Sequence, residues 1–157
     1  MFIATLYQWL FLFHIVGAMV WVGGAVLLAV LGSRATRSDD ATEVGRFVRG
    51  LRTTGPIVLA PSAAAVLGFG IWLVLNSPAW SFDQAWVQFG IGLFAAAFLI
   101  GAVFLSRTSI AAERAVDAGN DADALRQLRR WSWGYRAILA LLLVTAWDMV
   151  FKPQLWS

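Results

Sequence analysis

The stretch "YQWLFLFHIVGAMVWVGG", residues 7–24, contains no Asp, Glu, Lys or Arg, yet holds the only histidine of the chain, His14. The apolar run around it extends over about 6–31. A helix that crosses the hydrocarbon core of a bilayer needs about 20 apolar residues at 1.5 Å each, and this run exceeds that length. It has no basic residue before it and is too long for the apolar part of a signal peptide, so it reads as a membrane-spanning helix.

Working outward, further apolar segments follow at about 57–76, 85–105 and 133–151. The chain is 157 residues long, 60% hydrophobic and only 13% charged, against about 25% charged in ordinary soluble domains. Such a chain cannot cover its own surface in water. The expected fold is all-α: a single domain over 1–157, an integral membrane bundle of four transmembrane helices with up-down topology.

The charges sort by loop. Arg34, Arg37, Arg46, Arg49 and Arg52 fall in 32–56, and Arg107, Arg114, Arg126, Arg129 and Arg130 in 106–132. The link around Trp80 has no basic residue, and the C-terminus has only Lys152. The positive-inside rule makes both basic loops cytoplasmic and puts both termini outside, as in a multi-pass protein of a bacterial cytoplasmic membrane. This asymmetry accounts for the net charge of +3 without nucleic acid. No cysteine is present, which removes disulfides and thiolate metal sites.

Aromatic residues mark the borders: Trp80, Phe82 and Trp86 at the outer link, Trp131, Trp133 and Tyr135 opening the fourth segment, Phe151 and Trp156 closing it. They read as an interfacial belt. In the first basic loop Val44, Phe47, Val48 and Leu51 recur at helical spacing between arginines, behind an Asp40/Glu43 capping box. That pattern predicts a short amphipathic helix on the inner leaflet. In the second, Gly119-Asn120 should stop one helix and a new one should start near Asp121.

Polar groups inside a membrane are costly and point to function. His14, Gln88, Arg136, Thr145 and Asp148 are the ones here, and Arg136 can snorkel to the cytoplasmic border. At 1.5 Å per residue, His14, Asp148 and Gln88 fall roughly 6, 9 and 10 Å outward of the midplane, so an outer-half polar cluster is expected. His14, Gly17, Trp21 and Gly24 share one helical face, where small residues admit a second helix or a flat ligand. Trp21 should pack inward beside that space, and Pro61 should free the carbonyl of Ile57. Asp148 is expected either to pair with Lys152 one turn on or to support the ring of His14, since a neutral imidazole is a good iron or copper ligand and often carries a carboxylate on its other nitrogen.

Tyr7, Trp9, His14, Trp21 and Gly24, in the spacing Y-x-W-x4-H-x6-W-x2-G, resemble the first helix of the HemJ-type protoporphyrinogen oxidases. The run "HIVGAMVWVGG" is similar to the copper-resistance D (CopD) membrane family, as is the ending "VFKP". Closest overall is an uncharacterised bacterial four-helix integral membrane family in the same group. The resemblance implies haem b, its iron held by His14 with Trp21, Gly17 and Gly24 beside the ring. Position 11, lysine in the oxidases, is Phe11 here, and their Leu-Pro-Arg stretch is replaced by "AVLLAVLGSR", which counts against protoporphyrinogen oxidation more than against haem. Copper transport lacks a ligand cluster, because Met1, Met19 and Met149 are the only methionines.

Three functions are therefore expected in order. The first is electron-transfer or tetrapyrrole-linked chemistry on a haem held by His14, with a sixth ligand from Met149, water or His14 of a second subunit in a homodimer or larger membrane complex. The second is a non-catalytic accessory or scaffold subunit, and the third is metal-ion or proton passage. No phosphate loop or nucleophile triad is present.

Overall fold

The computed structural model describes residues 5–38 and 40–153; Met1 and Trp156 lie outside them. All regular structure among them is helical. Helix α1 is Leu6–Ala35, α2 Ala41–Thr54, α3 Ala60–Leu75, α4 Ala85–Leu99, α5 Ser106–Asp117 and α6 Asp121–Phe151. Two π-helical segments, Gly55–Leu59 and Ile100–Leu105, join α2 to α3 and α4 to α5. The chain thus forms four long helices, each long and apolar enough to cross a membrane.

Those helices outrun the apolar segments of the sequence, and each extension has a local cause. α1 starts at a reciprocal cap in which the Thr5 hydroxyl accepts from the Gln8 N–H and the Gln8 side chain accepts from the Thr5 N–H. Asp40 caps α2 through the Thr42 N–H at 2.8 Å; Glu43 does not complete the expected box. α5 ends where Gly119 takes φ 68°, a left-handed conformation suited to glycine. Asn120 then accepts from the Asp123 N–H and starts α6, as the Gly119-Asn120 signal indicates.

Between α2 and α3 the helix does not break. Pro56 and Pro61 each remove a backbone donor, and the chain responds by widening to i→i+5 bonding over Gly55–Leu59. The second widening has no proline. There the Ser106 hydroxyl donates back to the Gly101 carbonyl at 3.3 Å, an oxygen that also accepts from the Ser106 backbone N–H.

The amphipathic segment behaves differently from the inner-leaflet helix expected of it. It continues straight into the second span, and its apolar residues Val44, Val48 and Leu51 are buried in the bundle core. Phe47 meets Trp131 edge to face at 5.6 Å. Protein, not lipid, covers this face, because α5 runs beside α2, with Val116 against Gly45 and Glu113 paired to Arg52. The belt also divides. Trp133 is exposed, but Trp131 and Tyr135 are buried and stacked at 4.6 Å, since α6 begins ten residues before Trp131 and carries these rings into the bundle.

Neighbouring helices run antiparallel. Along α1, Gly17 faces Val66 and Gly24 faces Leu59; along α4 and its continuation, Gly90 faces Met149 and Gly101 faces Ile138. α3 packs on α1 and α4 on α6, while α3 and α4 share no extended contact. That missing contact shapes the site.

Candidate functional site

His14 sits half-buried on the seam between α1 and α3. Its Nδ1 donates to the Val66 carbonyl at 2.9 Å, and Nε2 makes no hydrogen bond among the described residues. Gly70 makes this seating possible, because a Cβ there would stand 3.1 Å from the His14 ring. The small residues beside it admit a helix rather than a ligand. A Cβ on Gly17 would meet Val66 at 3.2 Å and one on Gly24 would meet Leu59 at 2.8 Å, so α3 already fills the space.

The expected polar cluster does not assemble. Asp148 lies on the α4 side of α6, fully buried, with Oδ2 against Gly90, and neither carboxylate oxygen has a hydrogen-bond partner among the described residues. His14 uses a backbone carbonyl in place of a carboxylate. The Asp148–Lys152 pair does not form either. Lys152 adopts φ 45° at the end of α6, which turns its ammonium over the Trp80 ring at 4.0 Å and toward Trp86 at 5.6 Å. Gln88 is exposed and donates to the Phe82 carbonyl at 3.1 Å, tying down the outer loop. Arg136 reaches the Ser33 hydroxyl at 3.3 Å, and Thr145 donates to the carbonyl of Leu141 at 2.8 Å.

Trp21 does pack inward, edge-on to Phe94 at 5.3 Å, and it borders a feature that sequence reasoning missed. A cavity of about 470 Å³ lies in the half of the bundle nearest the basic loops. One wall comes from α2, the first π segment and α3, the other from α4, the second π segment and α5; Trp21, Trp131 and Tyr135 form the back. Phe98 and Ile110, both exposed, stand at the rim, where the second and third spans part. Its volume falls within the range of small-molecule sites, roughly 300–1,000 Å³. Both π segments border it, and such bulges recur at functional sites.

The polar groups of the cavity are few and oriented. Arg52 and Glu113 pair at 3.0 Å at one end. The hydroxyls of Ser106 and Ser109 donate to carbonyls of the same helix. The remaining wall is aliphatic and aromatic, suited to a molecule that partitions into hydrocarbon. In the sequence, the only signal for this site was Gly55-Pro56 followed by Pro61, five residues on. A cavity also needs the separation of α3 from α4, which no local pattern encodes.

Among known proteins, a family model described as "Predicted integral membrane protein (DUF2269)" matches residues 8–153. No curated protein and no solved structure matches the chain.

Proposed function

The chain belongs to the DUF2269 family of predicted integral membrane proteins, and from that premise we propose that it binds a membrane-dissolved apolar molecule in the lateral cavity between its second and third spans. One observation carries the reading: α3 and α4 stand apart over an apolar cavity of about 470 Å³ that both π segments border. A ligand enters sideways from the bilayer, without crossing water. The arginine-rich loops support a reading in which this half of the bundle lies at the cytoplasmic face of a bacterial inner membrane, with both termini outside. Native mass spectrometry in mild detergent tests the proposal. The wild type should carry a bound apolar mass, and Ala102→Phe, which fills the cavity from its exposed rim, should lose it. A ligand-free wild type reloaded from lipid extract without effect would overturn the reading and leave an accessory or scaffold subunit in front.

A second reading, haem b on His14, is favoured by the hydrogen bond from Nδ1 to the Val66 carbonyl. Ligating histidines commonly donate their other ring N–H in this way, and the first helix resembles the HemJ and CopD families. Of the chain's own residues, His14 would hold the iron through Nε2. The glycine faces that would flank a macrocycle are filled by α3, so the fit is incomplete within one copy. A visible absorption spectrum of protein from haem-replete cells, beside His14→Ala, decides this reading. A Soret band lost or shifted in the variant supports it, and a colourless wild type refutes it.

A further inference from the structure

We infer that the cavity recognises a prenylated quinone, held through its ring carbonyls by hydrogen-bond donors on the back wall while its tail leaves between α3 and α4. The inference rests on the cavity being a ligand site and names the chemistry it selects. Three aromatic side chains with polar hydrogens line the back wall: Trp21, Trp131 and Tyr135. All are at least nine-tenths buried. None of their indole N–H or hydroxyl groups has a hydrogen-bond partner among the described residues. Nor are these atoms sealed away, because the fully enclosed side-chain atoms lacking a partner are those of Asp148 alone among the described residues.

Buried Trp N–H and Tyr O–H groups ordinarily find an acceptor, and an unmet donor in an apolar site costs free energy. The residues that line the wall thus carry three donors without a protein partner among the described residues. The other hydroxyls, Ser106 and Ser109, already spend theirs on backbone carbonyls, and Arg52, at the end of the cavity, gives one of its five N–H groups to Glu113 and is itself exposed. The complementary ligand brings acceptors, is flat enough to lie beside the Trp131–Tyr135 stack, and carries an apolar tail that tolerates lipid. A quinone ring has carbonyl oxygens on opposite edges and no hydrogen to donate. It meets each requirement. A sterol or an alkyl hydroxyl would present a donor as well as an acceptor, and a bare acyl chain would leave the wall unpaired.

The test uses the whole protein in mild detergent with two probes, a decyl-tailed benzoquinone and decylbenzene, titrated by calorimetry into the wild type and Tyr135→Phe. The expected result is that the quinone binds the wild type about tenfold more tightly than decylbenzene, and that Tyr135→Phe weakens the quinone alone, about fivefold for one lost hydrogen bond. Should both probes bind equally, or should Tyr135→Phe weaken both alike, the cavity remains a ligand site and the quinone inference is overturned. If neither probe binds, the cavity proposal itself fails. Displacement of a tightly held phospholipid, with no quinone binding after its removal, would also overturn the inference. Where Tyr135→Phe does not fold, the comparison of the two probes on the wild type decides alone.

Discussion

Replacing Gly32 with alanine should destabilise the bundle, whereas the same change at Gly23 on the same helix should not. A Cβ at Gly32 would stand 2.9 Å from Trp131 Cζ3 and 3.4 Å from Phe47 Cζ. Carbon atoms pack best at about 3.5–4.0 Å, so the new methyl is roughly 0.6 Å too close to the indole. The indole has little freedom to retreat, being 3% exposed, stacked on Tyr135 and edge-on to Phe47. Overpacking of this kind costs about 1–3 kcal/mol. Against it stands the helix preference of Ala over Gly, about 1 kcal/mol. A Cβ at Gly23 would meet no neighbouring side chain or helix within 4 Å, so there only the favourable contribution acts. The two variants should differ by about 1–3 kcal/mol, or about 2–12 °C in unfolding midpoint for a chain of this size. Thermal unfolding of both in the same detergent measures it. Equal midpoints would refute this packing of α1 against α6 at Gly32 and Trp131.

Two further outcomes follow from the same contacts. Asp148→Val should stabilise the bundle, by about 1–3 kcal/mol, because a fully buried carboxyl with no partner among the described residues is replaced by an apolar side chain near it in volume. A fall of several degrees would show that the carboxyl has a partner in the membrane. Asp40, outside the spans, is held below its ordinary value near 3.8, chiefly by the Thr42 backbone N–H. Its folded pKa is depressed, so its capping contribution is present above the ordinary value and lost as pH falls through the folded one. Protection of the α2 amides against hydrogen exchange, taken relative to their intrinsic rates, should therefore fall below about pH 4, and Asp40→Asn should remove that pH dependence while retaining the cap. Wild-type protection that stays constant through this range would contradict it.

The spans were legible because a bilayer imposes length and apolarity on each segment, and "YQWLFLFHIVGAMVWVGG" meets both without a neighbour. The ends were less so. Val44, Val48 and Leu51 show an apolar face in the sequence, but not what covers it. Lipid and α5 are equivalent to a periodicity, and only the course of α5 beside α2 decides between them. Trp131 and Tyr135 illustrate the same limit from the other side. Their types suit a headgroup belt, and the earlier start of α6 at Asp121 takes them into the core instead. For the site, His14 was legible as the polar anomaly, and its partner was not, since Val66 contributes a backbone oxygen that any residue could offer. The heights of His14 and Asp148 were comparable, but height says nothing of azimuth: one faces α3 and the other α4.

The central claim is that a membrane-dissolved molecule reaches the back wall of the cavity from the side. Photolabelling in a bilayer with an alkyl diazirine, followed by peptide mapping, tests this most directly, because Tyr135 is only 5% exposed and Trp131 only 3%. The expected result is labelling at Tyr135, Trp131 and the rim residue Ile110, with the first two lost in Ala102→Phe. Labelling confined to outward-facing residues such as Met19 and Val150, with none at Tyr135 or Trp131, would contradict the claim.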